Sequence, residues 1–422
     1  MEVKPGYKQT EVGVIPTDWD AVPIEELFSF KNGLNKAKKF FGYGTPIVNY
    51  MDVYGRPALR IEQVAGRVDV SPKELRAYSV RKGDVFFTRT SETVEEIGVA
   101  SVMLDDAKST VYSGFVLRAR PTNDSLFDSF KAYCFSPRYF RQQITARASY
   151  TTRALTTCRS LSAALLARPP LPEQRAIATA LIDVDALLHG LERFIAKKRD
   201  LKQAAMQQLL TGQTRLPGFS GEWEVKRLGD VAMLKNGYAF KSDTYTSLGT
   251  FKVATIANVQ DGYMTADACN TIASEPADLQ PHQRLKLGDI LISMTGNVGR
   301  VCRVNEDHCL LNQRVGKLVP VGVVEGLLFV LLGQPSFISA MTGVAKGGAQ
   351  PNLAASDITE HTFNIPKDAA EQTAIASVLT EMDGELTVLE RRRVKTRDLK
   401  QAMMQELLTG RTRLVSPEVA HA

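Results

Sequence analysis

The feature that most constrains this chain is an internal repeat. Residues 173–216 align with 371–414 at an offset of 198 without a gap, and 27 of the 44 aligned pairs are identical. Weaker matches precede each copy: Trp19 with Trp223, Lys31-Asn32-Gly33 with Lys235-Asn236-Gly237, and Gly83-Asp84 with Gly288-Asp289. A fixed period of this kind indicates duplication. Each half is therefore a variable globular domain followed by a near-constant segment.

The near-constant segments have the periodicity of long helices. Apolar residues recur at spacings of three and four, which is typical of a packing seam. The seam positions are Ile177, Leu181, Val184, Leu188, Leu191 and Ile195 in the first copy, and Ile375, Leu379, Met382, Leu386 and Leu389 in the second. After Asp200 and Asp398 the stripe is predicted to resume in a shifted register, at Leu201, Ala205, Leu209 and at Leu399, Met403, Leu407.

The ends of these helices carry typical boundary residues. Pro172 suits a first helical turn, and Gly212 and Gly410 suit C-caps. Two such stripes in one chain most simply pack on each other. The alternative is that both are core helices of a single globular domain.

The globular parts have a mixed α/β pattern. Short strands are predicted at 85–88, 114–117, 290–293 and 317–319, and helices at 126–146 and 324–341. We therefore predict a mixed α/β fold in which two long helices separate two globular domains. The predicted boundaries are 1–170 and 217–366 for the domains, 171–216 and 367–414 for the long helices, and 415–422 for a tail.

Charge distinguishes the two halves. The formal net charge of +6 is divided unevenly, with +7 over 20–170 and −2 over 220–365. Residues 129–170 hold no acid but seven bases, and Tyr133, Phe135, Tyr139, Phe140 and Tyr150 lie among them. A basic stretch with aromatic residues favours a nucleic-acid surface. A solvated basic face is the alternative.

Several chemistries have no signal in the chain. It contains no G-x-x-x-x-G-K-[ST] phosphate-binding loop, no Asn/Asp-Pro-Pro-Tyr/Phe methyltransferase motif, and no paired histidines suited to a metal site. Its five cysteines are odd in number and lack C-x-x-C spacing, which favours a reducing cytosol. Without an apolar run of 18 residues or an apolar leader, we expect neither a membrane span nor a secretory signal.

These motifs together resemble the specificity (S) subunits of Type I restriction–modification systems. The resemblance rests on Pro-Pro-Leu-Pro-Glu-Gln at 169–174, on Glu-Gln-x-x-Ile at 371–375, and on Leu-Leu-Thr-Gly with Thr-x-Arg-Leu at 209–216 and 407–414. The segment Gly-Tyr-Lys-Gln-Thr-Glu-Val-Gly-Val-Ile-Pro at 6–16 and the two Gly-Asp turns belong to the same pattern.

The resemblance implies a DNA-recognition subunit without catalytic residues of its own. Each domain would read one half of a bipartite, asymmetric double-stranded DNA site, and the long helices would form an antiparallel coiled coil. The partners would be methyltransferase (M) subunits, which bind S-adenosylmethionine, and ATP- and Mg-dependent restriction/translocase (R) subunits. No cofactor, metal or membrane is expected on this chain, and a cytoplasmic location follows. The acidic second domain would need a local basic patch.

Polar and basic residues on loops that the repeat and the family pattern place near the DNA are the candidate contacts. Arg and Lys suit guanine or phosphate, whereas Asn and Gln suit adenine. The predicted DNA-binding residues are Arg89, Thr90, Ser91, Arg147, Tyr150, Thr152 and Arg153 in the first domain, and Thr295, Asn297, Gln313, Arg314, Lys346, Gln350 and Asn352 in the second. Gln313 and Arg314 are expected in a strand, and Trp19 and Trp223 are expected to be packing anchors.

Two other classes of protein stay open from the residues alone. A lone nuclease or methyltransferase would turn over substrate with Mg²⁺ or S-adenosylmethionine. A coiled-coil scaffold without DNA recognition would show no sequence preference in a binding selection.

Overall fold

The computed structural model describes residues 3–150, 152–345 and 351–415. Contacts divide the chain into two compact units. The first unit comprises Met1–Glu192 with Arg392–Ala422, and the second comprises Arg193–Arg391. Each unit therefore contains one globular part and half of each long helix.

The first globular part consists of short strands and helices. Its strands are β1 (Tyr7–Thr10), β2 (Gly13–Pro16), β3 (Asp20–Pro23), β4 (Phe28–Asn32), β5 (Phe41–Val48), β6 (Ala58–Leu59), β7 (Arg67–Val68), β8 (Val85–Thr88), β9 (Thr90–Ser91), β10 (Ala100–Met103), β11 (Val111–Tyr112), β12 (Val116–Pro121), β13 (Ser149–Tyr150), β14 (Ala154–Leu155) and β15 (Leu165–Arg168). Its helices are α1 (Ile24–Leu27), α2 (Tyr50–Val53), α3 (Pro72–Ala77), α4 (Asp128–Lys131), α5 (Arg138–Ala146) and α6 (Cys158–Ser162), followed by the long helix α7 (Leu171–Leu209).

The second globular part follows a similar order. Its strands are β16 (Trp223–Arg227), β17 (Ala232–Asn236), β18 (Tyr245–Thr246), β19 (Phe251–Ala254), β20 (Asn270–Ile272), β21 (Ile290–Ser293), β22 (Val301–Arg303), β23 (Cys309–Leu311), β24 (Val315–Pro320) and β25 (Thr362–Pro366). Its helices are α8 (Leu228–Val231), α9 (Glu325–Leu332), α10 (Pro335–Val344) and α11 (Ala355–Thr359), followed by the long helix α12 (Ala369–Leu407). Single 3₁₀ turns occupy Lys38–Phe40, Ile61–Gln63, Val94–Glu96, Ser242–Thr244, Ala266–Ala268 and Pro281–Gln283.

The same sheet order recurs in both units. The central sheet has the order β4-β12-β8-β10-β6 in the first unit and β17-β24-β21-β22 in the second. Strand β15 pairs with β3, as β25 pairs with β16, so in each unit the strand before a long helix pairs with one near the start of the domain. The mixed α/β fold with two long helices is confirmed, and the internal repeat extends to the strand order.

The two long helices run antiparallel within each unit. In the first unit, Asp185 on α7 pairs with Lys400 on α12. In the second unit, Lys198 pairs with Glu385 at 2.6 Å, and Lys202 pairs with Asp383. Ile177 and Leu181 lie in the core of the first unit with Leu407, and Ile375 and Leu379 lie in the core of the second with Leu209. The predicted seams therefore pack inwards.

The later positions of the predicted shifted stripe lie in or against the cores, at Ala205, Leu209, Met403 and Leu407, but its first positions, Leu201 and Leu399, are wrong. These side chains are 48% and 56% exposed. A helical seam advances by three or four residues per turn, so from Ile195 it passes through Lys198 and Lys202, one position away from Leu201. Lys198 and Lys202 occupy the seam there, and their ammonium groups form ion pairs with Glu385 and Asp383.

The two helices that the sequence predicts inside the globular parts, at 126–146 and 324–341, are each interrupted. Residues 126–146 hold α4 and α5, and Pro137 precedes α5 as its N-cap. Residues 324–341 hold α9 and most of α10, which starts at Pro335. Proline has no backbone N–H and disfavours helix at the residue before it, so each proline starts a new helix. Among the described residues no single helix is long and apolar enough to cross a membrane, although α9 and α10, bent by 59°, would pass that test as a pair.

Candidate nucleic-acid interface

Three segments of the first unit meet at one end of β8, and we call them the first loop edge (residues 89–91, 113–115, 150 and 152–156). The backbone N–H of Arg89 donates to the carbonyl of Phe115 at 3.1 Å, and that of Thr156 donates to the carbonyl of Arg89 at 2.9 Å. Strand β14 pairs with both β9 and β13. The two groups of residues predicted from separate parts of the first domain therefore share one small sheet.

The predicted residues of the first loop edge differ in exposure. Tyr150 is 62% exposed, and Thr152 and Arg153 are also exposed. Arg147 is exposed at the C-cap of α5, two residues before β13. Thr90 is half-buried. The outward side chains thus come mainly from the segment before the first long helix.

Arg89 and Ser91 have partners inside the protein. The Nη1 group of Arg89 donates to the carbonyl of Gly114 at 3.2 Å. Ser91 is buried, and its hydroxyl donates to the carboxylate of Glu96 and accepts from Tyr50 at 3.4 Å. The hydrogen bond from Ser91 lowers the pKa of Glu96, so this carboxylate stays charged and holds the edge in place.

The second unit builds the same junction, which we call the second loop edge (residues 294–297, 312–314 and 351–353). The N–H of Met294 donates to the carbonyl of Arg314 at 3.0 Å, and that of Leu353 donates to the carbonyl of Met294 at 2.8 Å. The hydroxyl of Thr295 donates to the Asn352 side chain at 2.9 Å. Predicted residues from three separate segments are again brought together.

The remaining residues predicted in the second domain have different positions. Asn297 is exposed in the loop after β21. Gln313 and Arg314 lie in the turn between β23 and β24, so their predicted strand position is wrong, because the chain reverses between these strands. Likewise the strand predicted at 114–117 starts only at Val116, which leaves Phe115 in a turn. Lys346 and Gln350 lie outside the described residues.

The repeated Lys-Asn-Gly motif has a steric explanation at the same junctions. A Cβ atom on Gly33 would lie 2.0 Å from the Ser113 carbonyl oxygen, and one on Gly237 would lie 2.2 Å from the Asn312 carbonyl oxygen. Only glycine permits such a close approach of two backbone segments. The motif therefore positions the turns 113–115 and 312–314.

The Gly-Asp turns lie at the opposite ends of β8 and β21. Gly83 and Gly288 have φ values of 82° and 88°, which favour glycine. Asp84 accepts from the Arg81 backbone at 2.8 Å and from the Arg120 guanidinium, and Asp289 accepts from the Lys286 backbone and from Lys317. These turns fix the strands that carry the loop edges.

The basic stretch 129–170 is only partly a surface. Lys131 is buried and pairs with Asp128 at 2.7 Å, and Arg141 donates to the carbonyls of Glu95, Ile97 and Gly98. Arg168 pairs with Asp20. Of the five aromatic residues named in this stretch only Tyr150 is exposed, because the other four lie in or against the core of the first unit: Tyr133, Phe135, Tyr139 and Phe140. Amphipathic α5 needs such residues for packing.

Sequence reasoning missed two features beside the first loop edge. Phe115 is 61% exposed in its turn. The segment 35–44, which we call the basic segment, exposes Lys38, Lys39 and Tyr43 and contains no acid. Its sequence, Asn-Lys-Ala-Lys-Lys-Phe-Phe-Gly-Tyr-Gly, was a usable signal. Its counterpart after Tyr238 carries Lys241 and Asp243 instead, which repeats the charge difference between the domains locally.

The Glu-Gln motif at the start of α7 forms a buried cluster, which we call the first clasp (Asp18, Trp19, Glu173, Gln174 and Arg413). The Trp19 indole N–H donates to Glu173 at 2.7 Å, and Arg413 donates to Glu173 at 2.6 and 2.7 Å and to Asp18 at 2.7 and 2.9 Å. Burial acts to lower the pKa of Arg413, but the hydrogen bonds and charges of Glu173 and Asp18 outweigh it and raise that pKa.

The second clasp (Arg215, Glu222, Trp223, Glu371 and Gln372) repeats this cluster with fewer bonds. Arg215 donates twice to Glu371, but Glu222 pairs with Lys367 instead. The Trp223 indole N–H is buried and has no hydrogen-bond partner within the described ranges. In each clasp the glutamine accepts a backbone N–H of its domain at 2.8 Å, from Phe127 in the first and from Val324 in the second. The clasps thus tie each long helix to a globular part.

In the part of the chain that the structure describes, no cluster of three or more His, Cys, Asp or Glu side chains is suited to a metal ion. Burial raises the pKa of Cys302 to about 12 and that of Cys309 to about 11, so these thiols stay protonated and are weak nucleophiles near neutral pH.

Known proteins resemble this chain in sequence. A sequence model for the Type I restriction modification DNA specificity domain matches residues 220–396. A putative type I restriction enzyme MjaX specificity subunit from Methanocaldococcus jannaschii is 23% identical over 429 residues, with 97% of each chain covered. The EcoKI specificity subunit of Escherichia coli is 23% identical over 201 residues, which cover 44% of this chain and 41% of the relative.

Solved structures share its fold. The S subunit of a Type-I restriction-modification system from M. genitalium has a TM-score of 0.60 and 16% identity, with 96% of this chain and 98% of the other covered. A chain from a structure of complex assembly and conformational transition of the type I R-M system has a TM-score of 0.59 and 19% identity, with 94% and 99% covered. The fold of this chain therefore recurs in these proteins.

Proposed function

Because residues 220–396 match the Type I restriction modification DNA specificity domain and the whole chain resembles a type I specificity subunit, we propose that this chain is such a specificity subunit and that it reads a bipartite, asymmetric DNA site with one half-site for each loop edge. As a specificity subunit it acts in DNA recognition and is not an enzyme. Sequence is read by side chains that contact base edges, whereas phosphate contacts position the protein.

One observation carries this proposal. The two loop edges have the same backbone hydrogen bonds, Arg89 to Phe115 and Met294 to Arg314, but expose different side chains. Two loop edges with the same backbone structure but different exposed side chains suit the recognition of two half-sites of different sequence. The +7 charge of residues 20–170 supports strong attraction of DNA phosphates by the first domain. The −2 charge of residues 220–365 gives the second domain no such overall attraction, so its DNA contact depends more on individual side chains.

The long helices are the proposed binding surface for partner subunits. Large apolar side chains are exposed along them: Ile182, Leu187, Phe194 and Leu201 on α7, and Val388 and Leu399 on α12. Exposed apolar side chains of this size favour a protein partner. We assign the helices to M subunits, which would supply S-adenosylmethionine and the methyl transfer. R subunits would supply ATP- and Mg-dependent translocation and cleavage, and the complex would act in the cytoplasm.

The proposal is tested by exchanging one domain and mapping methylation. Residues 220–365 would be replaced by the same region of another specificity subunit, and the hybrid co-expressed with the M subunits. We expect one half of the methylated motif to change and the other to persist. A matched hybrid that exchanges 20–168 should change only the other half. If either hybrid altered both halves, or if no bipartite motif existed, the proposal would fail.

A further inference from the structure

Phe115 and Arg314 occupy equivalent places in the two loop edges. The carbonyl of Phe115 accepts from Arg89 at 3.1 Å, and that of Arg314 accepts from Met294 at 3.0 Å. Each residue directly precedes a central strand, Val116 in β12 and Val315 in β24. The same backbone position therefore presents an aromatic ring in one half and a guanidinium group in the other.

Neither side chain is packed in a hydrophobic core of its unit. Phe115 is 61% exposed, whereas the neighbouring rings of Phe86 and Phe87 are fully buried. Arg314 is exposed, and its side chain makes no hydrogen bond or ion pair with any residue that the structure describes. By contrast, Arg227, Arg284 and Arg303 of the same unit each pair with a carboxylate. Both side chains are thus available to a ligand.

The surroundings of the two turns are polar and suited to DNA. In the first loop edge, Tyr150 on β13 and Arg153 just before β14 are exposed, and β14 pairs with β9. In the second loop edge, Asn352 is exposed beside Thr295. A phenyl ring among such groups cannot bind phosphate, so its contribution at a DNA surface is an apolar contact. Phenylalanine can contact the methyl group of thymine, and arginine can donate two hydrogen bonds to O6 and N7 of guanine.

We propose that this turn reads one base pair in each half-site, with Phe115 selecting thymine through its methyl group and Arg314 selecting guanine through O6 and N7. The proposal rests on the proposed function and adds the determinants of two specific positions. The two half-sites then differ at the base pair read by the repeated turn.

Reciprocal substitutions test the proposal directly. The full chain carrying Phe115→Arg, or Arg314→Phe, would be co-expressed with its M subunits, and methylated sites mapped across the host genome. Phe115→Arg should change the preferred base at one position of the first half-site from thymine to guanine and leave the second half-site unchanged. Arg314→Phe should change the preferred base at one position of the second half-site from guanine to thymine. The relative methylation of sites that carry thymine and of sites that carry guanine at that position should change by roughly 5- to 150-fold, the discrimination typical of one good bidentate contact such as arginine to guanine.

Conservative variants and a distant control keep the result interpretable. Phe115→Leu should keep the thymine preference, and Arg314→Lys should keep guanine with weaker discrimination. Val225→Ala changes a side chain that is 72% exposed on β16 and should leave both half-sites unchanged. Circular dichroism melting of each purified complex would verify that the variants fold.

The failures of the two proposals are distinguishable. If the unaltered chain produced no bipartite motif, and its complex selected none from random DNA, the proposed function itself would fail. If the motif existed but the reciprocal variants left it unchanged, or altered positions that were not thymine and guanine, the assignment of the turn would be overturned. A uniform loss of binding to all sequences by Arg314→Phe, which removes the charge, with a weaker salt dependence, would make Arg314 a phosphate contact and contradict the proposal.

Discussion

The two clasps are formed by equivalent residues, but the first clasp has more side-chain hydrogen bonds than the second. In the first clasp, the buried carboxylate of Glu173 accepts from both Trp19 and Arg413, and Asp18 shares the guanidinium. In the second, Glu371 accepts from Arg215, and the N–H of Trp223 has no partner among described residues. The glutamate and arginine are identical in both copies of the repeat, so the difference comes from the variable domains. The Glu–Arg ion pair of the repeat is therefore kept in both clasps, while the contacts that the variable domains add to it differ.

The same contrast applies to the loop edges. Their backbone hydrogen bonds match, as Arg89 to Phe115 matches Met294 to Arg314. Their exposed side chains do not match. Gly33 and Gly237 are required at the turns because a Cβ atom there would clash with the neighbouring backbone. An exposed side chain is under no such restriction, because it is not packed against other residues. Divergence at the edges is compatible with an unchanged fold, which suits proteins whose two halves read different sequences.

The largest expected effect is the loss of Glu173. Glu173→Ala would leave the buried Trp19 N–H without an acceptor and remove two hydrogen bonds of Arg413, although Asp18 would still pair with that guanidinium. An unsatisfied buried donor costs about 1–3 kcal/mol and a lost hydrogen bond to a charged group about 1.5–3 kcal/mol, so we expect a total loss of about 3–5 kcal/mol. Glu371→Ala should cost only about 1–3 kcal/mol, because Arg215 is 26% exposed and can be hydrated.

Each clasp contains one of the two tryptophans, which makes this comparison measurable. Urea unfolding of Glu173→Ala would be followed by fluorescence in a Trp223→Phe background, and that of Glu371→Ala in a Trp19→Phe background. Each would be compared with its own single-tryptophan parent. Equal losses in the two units would contradict the bonding difference between the clasps.

The second prediction isolates the indole hydrogen bond. A double-mutant cycle of Trp19→Phe and Glu173→Ala should give a coupling of about 1.5–3 kcal/mol, the range for a hydrogen bond to a charged group. The matched cycle of Trp223→Phe and Glu371→Ala should give a coupling near zero. The cycle cancels the effect of ring size, and circular dichroism in urea would supply the free energies. A coupling of similar size in both would show that Trp223 does bond Glu371 in solution.

The framework was predictable from sequence, and the edges were predictable in part. The repeat and its seams predicted two long helices and two mixed domains, because duplication and apolar periodicity are visible in one chain. The Gly-Asp motifs marked the strands that lead to each loop edge and the Lys-Asn-Gly motifs marked the segments beside its turn, but the pairing of Thr295 with Asn352 joins residues 57 apart and has no local signal. The exposure of Phe115 was equally hidden, since a hydrophobic residue before a strand is predicted to continue it. Whether the proposed contacts bind DNA stays a prediction.

The third prediction concerns the charge difference between the domains. Lys38 and Lys39 are exposed in the basic segment, whose counterpart carries Lys241 close to Asp243. Replacing both lysines by alanine should lower the slope of log binding constant against log salt by about 1.8, since each phosphate contact contributes roughly 0.9. Lys241→Ala should lower it by about 0.9 or less. Binding of the assembled complex to its target would be measured at several salt concentrations, and an unchanged slope in the double variant would remove the basic segment from the interface.

The smallest expected effect concerns how the basic segment is held. Lys36 at its base pairs with Glu74 at 2.9 Å and donates to the carbonyl of Asp69. The hydrogen bond from Lys36, followed by those from the backbone and hydroxyl of Ser71, lowers the pKa of Glu74 from 4.5 to about 2. Because the pKa is lower in the folded protein, the stabilisation is fully present above pH 4.5 and is lost as the pH falls from 4.5 through about 2.

Hydrogen exchange of residues 35–44, corrected for the intrinsic effect of pH, should therefore show protection that is constant above pH 5 and decreases below pH 4.5. Glu74→Gln removes the charge and should lower that protection at neutral pH while abolishing its dependence on acid. The counterpart segment after Tyr238 provides the internal comparison, because Lys241 forms no ion pair with a described residue and its protection should not follow the same titration. If residues 35–44 lost no protection between pH 4.5 and 2, or if Glu74→Gln kept the acid dependence, the pair would not hold the basic segment.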